Sequence, residues 1–244
     1  MSGMEFTYEG YERLIAALKS QNYTFCNYHD YAAHPRCVIL RHDIDNSPEA
    51  ALRLGGVEET LHVSSTYFVL LTSDFYNPAS AKNLASLRLL QDMGHEIGLH
   101  FDEMAYGEAL TPEQTVAAIQ NEARILSDIL KTPVTTVSMH RPSKATLEAN
   151  LEILGLVNSY GQTFFHDFKY LSDSRRRWRE PVEEIVKSGE YDRLHILTHA
   201  FWYHEQEETI EQTVGSFIRG ANHERYEQMH ENITDLESIL PEEI

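Results

Sequence analysis

The chain has 244 residues, 42% of them hydrophobic and 10% aromatic, enough to bury a substantial core within one domain. Its formal net charge of −18 at pH 7 repels phosphate backbones, which argues against nucleic acid and anionic membranes as general partners. Residues 1–8 carry no basic-then-apolar leader and no run is long and apolar enough to be a membrane span, so the expectation is a cytoplasmic protein.

Residues 1–36 read as an N-terminal helical lead-in. The two cysteines, Cys26 and Cys37, lack CxxC spacing and read as reduced thiols. A first buried strand is predicted at 37–42. Ser47 and Pro48 then supply a cap and a first helical residue. A second strand is predicted at 64–71. Leu84, Leu87 and Leu90 repeat at helical spacing before Gly94, and a third strand follows at 96–101. Thr111-Pro112-Glu113-Gln114 has the form of a capping box. It opens an apolar stripe of Val116, Ile119, Ala123, Leu126 and Leu130, read as core packing. Further strands are predicted at 135–140, 156–160, 169–172 and 194–198, with a helix over 146–154 that stops near Gly155. Residues 205–244 are acidic and read as helices packed on the rest, with a homo-oligomer contact as the alternative. Strands alternating with helices imply parallel pairing and right-handed crossovers. The expectation is therefore an α/β protein, a distorted seven-stranded (β/α) barrel over residues 37–204.

Parallel barrels place their sites at the C-terminal ends of the strands. Ionisable residues collect there: Asp43 and Asp45 after the first strand, His100 and Asp102 after the third, His140 and Arg141 after the fourth, Asp173 after the sixth and His199 after the seventh. Asp43 and Asp45 share a strand face, and two carboxylates that close repel unless a cation or proton lies between them. The simplest division is one metal ligand and one free base. With histidines on neighbouring strands, the oxygen and nitrogen donors suit zinc or another divalent transition metal such as Co, Ni or Mn. Such an ion polarises a carbonyl and acidifies water.

The runs Arg41-His42-Asp43-Ile44-Asp45 and Gly94-His95-Glu96-Ile97-Gly98-Leu99-His100 resemble the first two motifs of the polysaccharide deacetylases, the NodB-like carbohydrate esterase family 4. His140-Arg141-Pro142, Asp173-Ser174 with Trp178, and Leu197-Thr198-His199 resemble the later motifs, in the family's order. The resemblance runs from about residue 37 to 204. It implies a metal-dependent hydrolase that removes N-acetyl groups from a carbohydrate, similar to the intracellular branch linked to surface-polysaccharide synthesis. It also implies roles. Asp43 would be the general base, and Asp45 and His100 metal ligands. Arg141 would hold Asp43. His199 would protonate the leaving amine, with Asp173 setting its charge. Trp178 would support that pair or wall the substrate.

One departure matters. Where the family has a second metal histidine, this chain has Met104, a poor ligand for a hard divalent ion. His140, Asp102 or a weakened site compete to explain it, and His140 ranks first because imidazole preserves the ligand chemistry. Arg177 belongs to the basic run Arg175-Arg176-Arg177-Trp178-Arg179, which could clamp an anionic substrate group. Trp202, with Phe201 and Tyr203, could stack on a sugar ring. The rival readings are an amidase acting on C–N bonds of a small nitrogen compound, and a non-catalytic glycan binder.

Overall fold

The computed structural model describes residues 4–107 and 109–242. The first three residues of the expected lead-in and the last two of the expected C-terminal helices lie outside them. The chain forms two compact units, one through Glu205 and one from Gln206 onward.

The first unit is built on eight strands: β1 (Thr24–Cys26), β2 (Cys37–Ile44), β3 (Thr66–Leu70), β4 (Glu96–Phe101), β5 (Thr136–Met139), β6 (Val157–Asn158), β7 (Lys169–Ser172) and β8 (Arg193–Thr198). Every pairing is parallel, in the order β6-β5-β4-β3-β2-β8-β7, with β1 beside the start of β2. The seven strands of that path are the seven predicted, and they curl into a distorted barrel. Its two end strands, β6 and β7, do not pair with each other. The additional strand, β1, is three residues long and falls where the composition reads as helix.

The helices α1 (Tyr8–Ser20), α2 (Pro48–Thr60), α3 (Ala81–Asp92), α4 (Pro112–Leu130), α5 (Lys144–Glu148) and α6 (Val182–Ser188) complete this unit. Local chemistry sets their ends. The Ser47 hydroxyl accepts from Ala50 N at 3.1 Å, with Pro48 at the first turn. Thr111 and Gln114 close a capping box on α4. The helix expected at 146–154 is α5, shifted and shortened. Ser143 caps Thr146 N at 3.2 Å and so starts it early. Asn150, at φ 43°, stops it early. In the second unit, α7 (Ile210–His230) opens on a capping box of Thr209 and Gln212 and is followed by α8 (Leu236–Ile239).

Strand β2 is buried along its whole length. Alternation sends Val38, Leu40 and Ile44 to the core under the helices, and Cys37 and Ile39 to a smaller cluster with Cys26, Tyr28, Phe68 and Phe164. The second cluster fills the bottom of the barrel, so the chemistry is confined to the other end. Gly98 makes that plug possible. A Cβ there would lie 2.5 Å from the Phe68 ring. Both cysteines are buried and free. No helix among the described residues is long and apolar enough to cross a membrane.

Candidate metal centre and its cavity

Arg41, Asp43 and Asp45 continue the inward parity of β2. Arg41 is fully buried, and the Asp43 side chain is 4% exposed. The guanidinium grips the carboxylate with both arms, Nε to Oδ1 at 2.8 Å and Nη2 to Oδ2 at 2.7 Å. Ser138 and Ser159 accept further bonds from Arg41. The rings of Phe68 and Tyr160 lie 5.2 and 4.9 Å from its Cζ. Burial alone would raise the pKa of Asp43, but Arg41, with His100 and His199 beside it, outweighs burial and holds the carboxyl below its ordinary value.

Asp45 stands where β2 ends. Its Oδ1 lies 3.3 Å from His100 Nε2, at the end of β4, and 3.4 Å from His140 Nδ1, just past β5. The two imidazole nitrogens are 3.2 Å apart. One ligand atom from each residue therefore converges within 4.8 Å of the others. Asp45 Oδ1 and His100 Nδ1 are buried and have no hydrogen-bond partner. A buried carboxylate oxygen left facing two imidazoles fits a divalent cation, because it otherwise forfeits its solvation for nothing. His100 Nε2 also approaches Asp43 Oδ2, at 3.5 Å. Burial opposes the charge on Asp45, yet the two histidines bring its pKa well below the usual value.

On the opposite flank, His199 follows β8 and Asp173 follows β7. His199 Nδ1 bonds to Asp173 Oδ1 at 2.6 Å. The other carboxylate oxygen accepts from His199 N at 3.1 Å and Tyr203 Oη at 3.2 Å. Burial disfavours the imidazolium, but Asp173, with Asp45 and Asp43 behind it, wins and lifts His199 to about 9. Its Nε2 points toward Asp45, 3.8 Å from Oδ2.

Several sequence expectations fall differently in space. Arg141 does not hold Asp43. It sits at φ 46° with its side chain 71% exposed and pairs with Asp102 at 3.3 Å. Arg41 occupies the place expected of it, being two residues before Asp43 and so on the same strand face. Asp102 is spent on Arg141 and on Met104 N, at 3.0 Å, and stays outside the converging trio. Met104 is 69% exposed. His42 has the opposite parity from Asp43 and is buried against Glu58 and Thr198, at 3.0 and 2.5 Å.

The centre opens into a cavity of about 640 Å³ that reaches toward the unpaired side of the barrel. Tyr160, Phe165 and Tyr170 pack together as an aromatic wall, and Trp202 lines the cavity as well. Of the other expected substrate contacts, Trp178 and Arg177 do not line it. Trp178 packs on the core near Tyr203, and Arg177 points outside. Arg175 and Arg179 line the cavity instead. Residues 175 and 176 take left-handed backbone conformations, which turn the loop and reassign its faces. Simple alternation along the basic run does not anticipate that turn.

The arrangement is a parallel barrel that gathers an Asp-His-His trio, a clamped carboxylate and a carboxylate-held imidazole at one rim. No protein-family model and no curated protein matches the chain in sequence. The structure is similar to solved family 4 carbohydrate esterases. One from Streptomyces lividans, in complex with acetate, is 15% identical over 76% of this chain and 86% of its own, with a TM-score of 0.48. The chitin deacetylase of Colletotrichum lindemuthianum is 16% identical over 77% and 83%, with a TM-score of 0.47. A pseudoenzyme of the same family from Bacillus anthracis is 14% identical over 78% of this chain, with a TM-score of 0.46, and this chain spans only 63% of its length.

Proposed function

We propose that the chain is a metal-dependent hydrolase that removes N-acyl groups, in the first place N-acetyl groups, from a carbohydrate. The observation that supports this most is the placing of three functions around one point. Asp45, His100 and His140 converge, Asp43 lies on one side of them and His199 on the other. A divalent ion held by the trio, zinc first among the candidates, would polarise the acyl carbonyl and stabilise negative charge on its oxygen.

The remaining chemistry belongs to the chain's own groups. Asp43, kept anionic by Arg41, takes the proton of the attacking water. The clamp also orients that carboxylate, since both its oxygens are bonded. His199 is protonated at neutral pH because Asp173 holds it so, and it can hand its Nε2 proton to the departing nitrogen. An acid on one flank and a base on the other suit amide cleavage, whose leaving group must be protonated to depart. The aromatic wall offers flat surfaces for a sugar ring.

The test is elemental analysis of the purified protein beside His140→Ala, with acetate release from N-acetylated sugars measured on both. About one divalent ion per chain, lost in the variant together with turnover, is the expected result. A wild-type protein that takes up no ion after reconstitution would sink the metal-dependent reading. An ion retained by the variant would remove His140 from the ligand set.

A further inference from the structure

The walls of the cavity are unequally compensated. Asp43 is neutralised by Arg41. Glu180, also on the wall, is paired with Lys169 at 2.6 Å. Arg141 is paired with Asp102. Arg175 and Arg179 line the same cavity and have no ion pair among the described residues. Other exposed arginines of this acidic chain, Arg88 and Arg177 among them, also lack an ion pair among the described residues, but only Arg175 and Arg179 of these line the cavity. The arginines that do pair include Arg13 with Glu5 and Arg53 with Glu49, both away from the cavity. The guanidinium fork matches planar or tetrahedral oxyanions with two parallel bonds. Two such forks left free on the wall of a cavity of about 640 Å³ are poised for an anionic group on whatever fills it.

We infer that the substrate is an N-acylated sugar bearing an oxyanion, a phosphate or a carboxylate, which Arg175 and Arg179 bind while the ring lies against the aromatic wall. The inference rests on the hydrolase reading for the acyl group, but not for the anion, whose binding is separately measurable. The −18 net charge repels anions at long range, so these two arginines act as a local reversal of sign and as a selectivity filter.

The experiment compares three probes: N-acetylglucosamine, its 1-phosphate, and the corresponding 2-acetamido uronic acid. Binding is measured by calorimetry and acetate release by assay, on the wild type and on Arg175→Asn/Arg179→Gln. Both positions are exposed, and Asn tolerates the left-handed backbone at 175. At least one anionic probe should bind ten-fold or more tightly than the neutral sugar. That advantage should shrink with added salt and vanish in the double variant. Which anion gains more decides between phosphate and carboxylate. Equal binding of all three probes, or an anionic advantage that survives in the variant, overturns the inference. So does an equal loss in Arg177→Gln, whose side chain lies outside the cavity. Acetate release with no anionic preference leaves the hydrolase reading standing without this one. Anion binding lost in the double variant, with no acetate from any probe, does the reverse.

Discussion

Replacing Arg41 by Met tests how the clamp on Asp43 works. The variant keeps much of the length and apolar stem of the side chain but removes its charge. Asp43 is then left 4% exposed, with neither of the bonds of 2.8 and 2.7 Å that satisfy it. Breaking a buried pair from one side costs roughly 3–5 kcal/mol, because the remaining charge is uncompensated. With a urea slope of about 3 kcal/mol per M, the unfolding midpoint should fall by about 1–1.7 M at pH 7. The double variant Arg41→Met/Asp43→Asn removes both charges and should recover most of that loss. The pH dependence is a second readout. In the wild type the Asp43 pKa is lowered, so its contribution is present above the unfolded carboxylate value and is lost as pH falls through the folded one. In Arg41→Met burial is opposed only by His100 and His199, so the Asp43 pKa moves up from its wild-type position and the carboxylate takes a proton more readily. The gap between variant and wild type should therefore narrow between pH 7 and 5. A single-variant loss below about 1 kcal/mol, or a double variant less stable than the single, would refute the reasoning.

Asp173→Asn should lower the pKa of His199 from about 9, since burial would then be opposed only by Asp45 and Asp43; the alkaline limb of kcat/KM should move down with it, and an unmoved limb removes His199 as the acid. Gly98→Ala drives a methyl into Phe68, which packs under Arg41, and should cost about 1–3 kcal/mol in urea unfolding. His195 is buried, with Nε2 2.8 Å from Tyr28 Oη and Nδ1 facing Phe164 O, and burial with the nearby Arg41 charge holds its pKa near 3. Its neutral form therefore stabilises the fold above the unfolded value of 6.5, and stability should fall by about 1.4 kcal/mol per pH unit from this group as pH drops from 6.5 toward 3. In His195→Gln that slope should flatten by the same amount, as read from urea midpoints at pH 7, 6 and 5.

What could be read without coordinates divides along physical lines. The seven strands of the main path were legible because a parallel strand buried on both faces is a short apolar run, and β2 is buried at every position. β1 was hidden by its three residues, too few for a periodicity. The meeting of Asp45, His100 and His140 was anticipated, since strand ends in a parallel barrel share one rim whatever the details of packing. The clamp on Asp43 was misplaced to Arg141 through a likeness of motif, although strand parity already puts Arg41 beside Asp43. Parity is dictated by the backbone and survives divergence, whereas a motif's neighbour keeps its role only while the loop around it keeps its shape. At Arg141 the backbone turns to φ 46° and carries the side chain out to Asp102. The same physics separates Arg175 and Arg179 from Arg177. Along a strand, alternation would have grouped 175, 177 and 179 on one face, but two left-handed residues break that pattern and leave only the outer pair on the cavity. Residues inherited by strand register can thus be assigned from sequence, and residues delivered by a loop cannot. In this chain the groups proposed to carry the hydrolysis lie on or directly after the strands, and the groups proposed to select the substrate lie in a loop.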